Sequence, residues 1–214
     1  MIFLLPILLS GCFEIREEVN MKAGGSGEIN WVANFSQSKD NLRRYMKMER
    51  VEGYKVPKQQ DIESFLAQVK SSLAKVEGIS HVMVKSDWSS YIFTVSARFS
   101  NVQALNKALA LMDKQMENPP SGPATENNFA YENGRFRRVF RYAGKPDAFK
   151  ELSSTQRYML ESARMTSIYR FENDIADFTN KRAQVSPSGK AIMLQVPLAD
   201  LAKGTATIEN IISF

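Results

Sequence analysis

The chain reads as an α+β fold, with antiparallel sheet built from hairpins and helices packed on one face. Three observations predict it. Several short segments alternate apolar and polar residues, the period-two pattern of strands with one wet face. Between them lie stretches whose apolar residues recur at helical spacing. Turn-forming residues at 24–27, 87–90, 133–134 and 187–189 separate consecutive strand segments, which joins them as hairpins and favours an antiparallel sheet.

The elements follow in order. In residues 13–21, Phe13, Ile15, Val19 and Met21 fall on one side and Glu14, Arg16, Glu18 and Asn20 on the other, with Glu17 as the exception. Gly24-Gly25-Ser26-Gly27 then turns the chain into a second strand marked by Ile29, Trp31, Ala33 and Phe35. Because a strand follows these glycines, they serve a turn and not a phosphate cradle, which needs a helix. Residues 36–48 form a Lys/Arg-rich surface helix, broken at 53–57. Ile62, Phe65, Leu66, Val69, Leu73 and Val76 define the next helix, and Gly78 suits its C′ position. Strands 79–85 and 91–99 are joined through Asp87-Trp88-Ser89-Ser90. Asn101 caps a helix carrying Val102, Leu105, Leu109 and Met112.

Residues 117–128 are dense in Pro, Gly, Ser and Asn. They either join two sub-lobes, 12–116 and 129–214, or form a long surface loop of one domain. Beyond them come a hairpin over 129–142 about Asn133-Gly134, a helix over 154–163 and a strand over 166–171. A hairpin of 182–185 with 191–198 and a last strand over 205–212 complete the chain. There is no internal repeat.

The first nine residues, MIFLLPILL, are uncharged. They match the length of a signal-peptide apolar region and fall short of the roughly 20 residues that span a bilayer. Leu9-Ser10-Gly11-Cys12 resembles the bacterial lipobox, in which two small residues precede the cysteine that receives diacylglycerol. The resemblance implies a lipoprotein signal peptide over 1–11 and an extracytoplasmic α+β domain over 12–214, with Cys12 as the lipidated first residue. A diacyl group with an N-acyl chain exceeds the two signals needed for stable attachment. The competing reading is a buried Cys12 acting as a small core hydrophobe.

Composition narrows the chemistry. The 214 residues carry 28 basic and 23 acidic side chains, a net +5 that requires neither nucleic acid nor membrane, and none of these charges lies in the first twelve positions. One cysteine permits no internal disulfide and no cysteine-based zinc site; one histidine, His81, offers little to a metal or a base. The acidic groups Glu14/Glu17/Glu18 and Glu172/Asp174/Asp177 have neither calcium-loop spacing nor acid/base pairing, and read as solvated faces. No GxSxG elbow is present. The expectation is a non-enzymatic protein without cofactor or metal.

Residues 135–142 interleave arginine with aromatics. As a strand they place Phe136, Arg138, Phe140 and Tyr142 on one face and Arg135, Arg137 and Arg141 on the other. The second face suits an anionic ligand or partner, lipid headgroups included. It equally suits a solvated or salt-bridged basic strand face. The inferred compartment holds little nucleic acid, so no nucleic-acid partner is expected.

Cys12-Phe13-Glu14 leading into Gly25-Ser26-Gly27-Glu28 and a strand, together with residues 171–204, resembles the LppM-type lipoprotein domain and a wider set of uncharacterised bacterial lipoproteins. That resemblance implies an α+β domain that binds lipid or another apolar ligand, and it supplies no catalytic residues. LppM-type proteins often add a C-terminal membrane helix, which residues 202–214 do not match. The expected function is a membrane-anchored lipoprotein binding a lipid or apolar ligand at the cell envelope. Ten methionines would suit an adaptable apolar pocket. The alternative is an assembly component contacting another envelope protein through an exposed surface. Phe13 stands where inner-membrane lipoproteins commonly carry aspartate, which favours the outer membrane if the cell has two.

Overall fold

A computed structural model describes residues 13–51, 53–115, 128–140 and 146–214. Cys12, the signal-peptide stretch, most of 117–128 and Arg141 lie outside the described residues. The first two alternating segments become β1 (Glu14–Met21) and β2 (Gly27–Asn34), paired from Glu14 opposite Asn34 to Met21 opposite Gly27. A 3-10 turn at Ser36–Ser38 leads into α1 (Lys39–Tyr45), then a small ribbon of β3 (Arg50–Val51) and β4 (Tyr54–Lys55). Helix α2 (Gln59–Leu73) precedes β5 (Ile79–Asp87), β6 (Ile92–Phe99) and α3 (Val102–Gln115). Then come β7 (Phe129–Glu132), β8 (Arg135–Arg138), α4 (Pro146–Glu151) and α5 (Ser154–Ser162). The chain continues through β9 (Arg164–Phe171), β10 (Asp177–Phe178), β11 (Gln184–Val185), β12 (Ala191–Pro197), α6 (Leu198–Lys203) and β13 (Asn210–Ser213).

These elements make an α+β fold of two layers. One is a seven-stranded sheet ordered β11-β12-β9-β1-β2-β6-β5, and the other combines α2 and α3 with a four-stranded sheet ordered β10-β13-β8-β7. The hairpins predicted from turn chemistry are all present. One pairing departs from the antiparallel expectation: β1 and β9 run parallel, Glu14 opposite Arg164 and Met21 opposite Phe171. Hairpin reasoning finds only neighbours in sequence, and β9 reaches β1 from the far side of residues 117–128. Strands from both sides of that stretch therefore share one sheet.

The core lies between the layers. Val19, Ile29, Ala97, Phe99, Tyr169 and Leu194 from the large sheet meet Leu66, Val69, Leu73, Leu105 and Ala108 from the helices and Phe129, Phe136 and Ile212 from the small sheet. Asn106 of α3 straps helix to strand, accepting from Phe129 N–H and donating to its carbonyl, both at 2.8 Å. Elements that sequence periodicity missed are short. Helices α4 and α6 have six residues each, and β3, β4 and β10 have two, too few for a period to register. The expected strand over 205–212 is confined to Asn210–Ser213.

At Gly27 the turn brings two backbones together. A Cβ there would stand 2.2 Å from the Asn20 carbonyl oxygen and 2.7 Å from the Phe99 ring, whereas one on Gly24 would meet nothing within 4 Å. Gly27→Ala is expected to lower unfolding free energy by about 1–3 kcal/mol in urea titrations, and Gly24→Ala to stay within about 0.5 kcal/mol of the parent.

Candidate functional site

Glu17, the residue that breaks the alternation of β1, keeps its place on the apolar face and is buried there. Its counterpart is Arg138, the arginine of β8 that shares a face with buried Phe136. Arg138 grips the carboxylate with both prongs: Nε donates to Glu17 Oε1 at 3.0 Å and Nη2 to Oε2 at 3.1 Å. Tyr169 Oη donates to the same Oε1 at 2.7 Å, and Arg138 Nη1 donates to the Val139 carbonyl at 2.8 Å. The guanidinium carbon sits 4.7 Å from the centre of the Phe129 ring. The sequence reading of Glu17 as part of a solvated acidic face is thus corrected. A lone charge on an apolar face needs a buried partner, and β8 carries it.

Burial works against the Arg138 charge, yet the carboxylate of Glu17 and the Tyr169 oxygen offset it and hold the guanidinium above its usual value. Burial, reinforced by the charge of Glu17, pushes the Tyr169 phenol well above a tyrosine's ordinary value, with Arg138 opposing. The guanidinium thus stays charged and the phenol protonated near neutrality, and their hydrogen bonds to Glu17 tie the small sheet and β9 to β1.

The opposite face of the large sheet is polar. Across β9, β1, β2 and β6 one row reads Arg170, Asn20, Glu28, Arg98. With Lys22 and Glu172 this row lines an open groove of about 560 Å³ at the Gly25 end of the strands. Its charges are largely matched, Arg98 with Glu28 at 3.9 Å and Arg170 with Glu18 at 3.1 Å, while Glu172 accepts from the Ala23 N–H at 2.8 Å. A second hollow lies between α1 and Tyr158 of α5. Between sheet and helices the described core side chains pack into one buried cluster.

The two ends of the sheet differ. At the end where β1 begins, Phe13 stacks on Phe35 at 5.3 Å, and Phe93 packs edge-on to both Phe35 and Trp88 at 6.4 and 4.9 Å. The Phe13 carbonyl accepts from the Arg164 N–H at 3.0 Å, so the sheet is engaged from its first described residue. In the turn beside this cluster, hydrogen bonds from Ser89 and Ser90 hold the Asp87 carboxyl below its usual value.

The sequence-selected arginines lie elsewhere. Arg135 opens β8 at the Asn133-Gly134 turn, near the Gly25 end, where Phe214 N–H donates to the Gly134 carbonyl and Tyr131 Oη to that of Ala23. Arg135 and Arg137 are both exposed, and Arg137 pairs with Glu209 at 2.8 Å. Arg141 is outside the described residues, so the three are not seen together. His81 is an exposed residue with φ +52° beside a bulge in edge strand β5, its Nδ1 3.2 Å from Ser80 Oγ. Among the described residues no group of three His, Cys, Asp or Glu side chains stands close enough to hold a metal ion.

No family model matches the chain, and no curated protein does. Among solved structures it is similar to the NMR structure of the folded domain of LppM from Mycobacterium tuberculosis. That match has 14% identity over 94% of this chain and 87% of the other, with a TM-score of 0.38. A likeness of that size bears on neither ligand nor activity.

The raised Tyr169 value has a defined pH signature. The folded state holds the phenolic proton more tightly than the unfolded chain, so this stabilisation is complete below the unfolded value near 10 and declines as pH rises beyond it. Tyr169→Phe removes a hydrogen bond to a charged acceptor and is expected to cost about 1.5–3 kcal/mol at neutral pH. Urea titrations from pH 7 to 11 should show that difference constant up to about pH 9 and narrowing above about pH 10.

Proposed function

We propose that this protein is a bacterial lipoprotein, held to a membrane of the cell envelope through lipid on Cys12, whose folded domain works by contact and not by catalysis. The observation that carries the reading is the junction at residues 12 and 13. A lipobox-like Leu9-Ser10-Gly11-Cys12 ends one residue before Phe13, whose carbonyl is already bonded into the sheet and whose ring is stacked on Phe35. A lipid on Cys12 would thus attach almost directly to the folded domain. Thioether formation would also consume the only thiol.

The buried core cluster between the layers, together with the exposed Arg135 and Arg137, favours contact through surfaces over enclosure of an apolar ligand. This supports the assembly reading, in which an exposed face meets another envelope protein, above the internal-pocket reading. Arg135, displayed at the end remote from Phe13, and Arg137, farther along the same exposed face of β8, are suited to a partner on the side away from the membrane. Outer-membrane sorting remains part of the proposal where two membranes exist, on the strength of Phe13.

Growth with a labelled fatty acid tests the anchor. The chain is expected to take up label, and Cys12→Ala to lose it while still accumulating as a folded protein. Equal labelling of the two would refute lipidation at Cys12.

A further inference from the structure

The net charge of +5 is unevenly placed. Between Lys39 and Lys58 seven lysines and arginines stand against three acidic residues, so this stretch of twenty supplies four of the five net charges. Among its cations Lys39, Arg43, Arg44, Lys47 and Lys55 are exposed. They are interspersed with side chains unusual for a purely solvated surface: Met48 is 42% exposed and Tyr54, beside Lys55 on the ribbon, 68%.

The position of this stretch is fixed at both ends. Its start follows Phe35, which stacks on Phe13 and whose N–H donates to the Tyr91 carbonyl at 3.0 Å. Its end runs into α2, whose Glu63 accepts from Ser86 Oγ at 3.3 Å and from Trp88 Nε1 at the β5–β6 turn. Lys58 Nζ ties the stretch together by donating to the carbonyls of Met46 and Met48 at 3.0 and 2.7 Å. The basic segment therefore sits at the Phe13 end of the sheet, where the chain leads to Cys12. Tyr158 of α5, 51% exposed, shares a hollow with α1 at this same end. The eight residues of β1, at about 3.3 Å each, separate it by roughly 25 Å from the opposite end, where Arg135 lies.

We propose that α1 and the β3–β4 ribbon form a docking surface for an anionic bilayer, with the exposed lysines and arginines on acidic phospholipid headgroups and Tyr54 and Met48 at the interface. The proposal rests on the lipidation reading, since lipid on Cys12 is what would hold this end against the membrane. Cations near an anionic surface each contribute about 1 kcal/mol, and tyrosine suits a boundary that is apolar on one side and wet on the other. The docking surface would orient the domain, leaving the Arg135 end facing away.

The test uses the full chain carrying Cys12→Ser, sedimented with phosphatidylcholine vesicles or with mixed phosphatidylglycerol/phosphatidylcholine vesicles. Because the apolar leader is uncharged, preference for the acidic vesicles reports the basic surface. Binding is expected to favour acidic vesicles and to weaken with salt. The variant Arg43→Gln/Lys47→Gln/Lys55→Gln should bind them about one hundredfold more weakly. Lys47→Gln/Lys55→Gln should bind about thirtyfold more weakly, which keeps the test open if the triple variant does not fold. Arg135→Gln/Arg137→Gln should stay within about threefold of the parent, since those residues lie beyond the Debye length from the surface. No preference for acidic vesicles, or an equal loss in the Arg135/Arg137 variant, would overturn the docking surface. Fatty-acid labelling separates the two readings: labelled Cys12 with no acidic preference defeats the surface alone, and acidic preference with unlabelled Cys12 defeats the anchor alone.

Discussion

The bidentate pair of Glu17 and Arg138 joins the two layers at their centres. Glu17 belongs to β1, flanked by β9 and β2 in the large sheet, and Arg138 to β8, flanked by β13 and β7 in the small one. Shifting either strand by one residue would turn its charge to the other face and its apolar neighbours away from the core. Leaving either partner buried alone costs about 3–5 kcal/mol, so arrangements that separate the two are disfavoured by that much. The aromatic side chains around the pair set the remaining geometry. Phe136 lies 5.6 Å from Phe129, 5.0 Å from Tyr169 and 5.3 Å from Phe171, closing the interior around the ion pair.

That central constraint also fixes what each end of the molecule can do. With β1 held in register, Phe13 must emerge beside Phe35, and α1 with its basic segment must lie at the end where the chain passes to Cys12. The turn of β7 and β8 is placed at the other end by the same register. The polar face between them is largely neutralised by its own ion pairs, among them Arg16 with Glu18 at 2.7 Å. The basic segment lies at the end that faces the membrane in the proposed orientation, and Arg135 at the end that faces away.

Much of this was legible in the residues. Period-two alternation located β1, β2 and β6, and Asn133-Gly134 and Gly24 to Gly27 located two hairpins, because turn and pleat are local properties. Parallel pairing of β1 with β9 was not legible, since it depends on contacts between residues remote in sequence. The central pair lay half in view: Glu17 was visible as a charge on an apolar strand face and Arg138 as an arginine on an aromatic one. What joins them is that an unpaired buried charge is prohibitive, a rule about the pair that neither local pattern contains. The basic segment was legible as a Lys/Arg-rich stretch, but its place at the Phe13 end required the fold. Cys12 is the reverse case, read from its motif with its surroundings outside the described structure.

The dependence of the fold on the buried pair is tested most directly by a double-mutant cycle in urea. Glu17→Leu and Arg138→Met alone should each destabilise by about 3–5 kcal/mol, because each strands one buried charge, and the double variant should recover most of that loss. Additive costs, with the double variant no better than the sum of the two, would contradict the account.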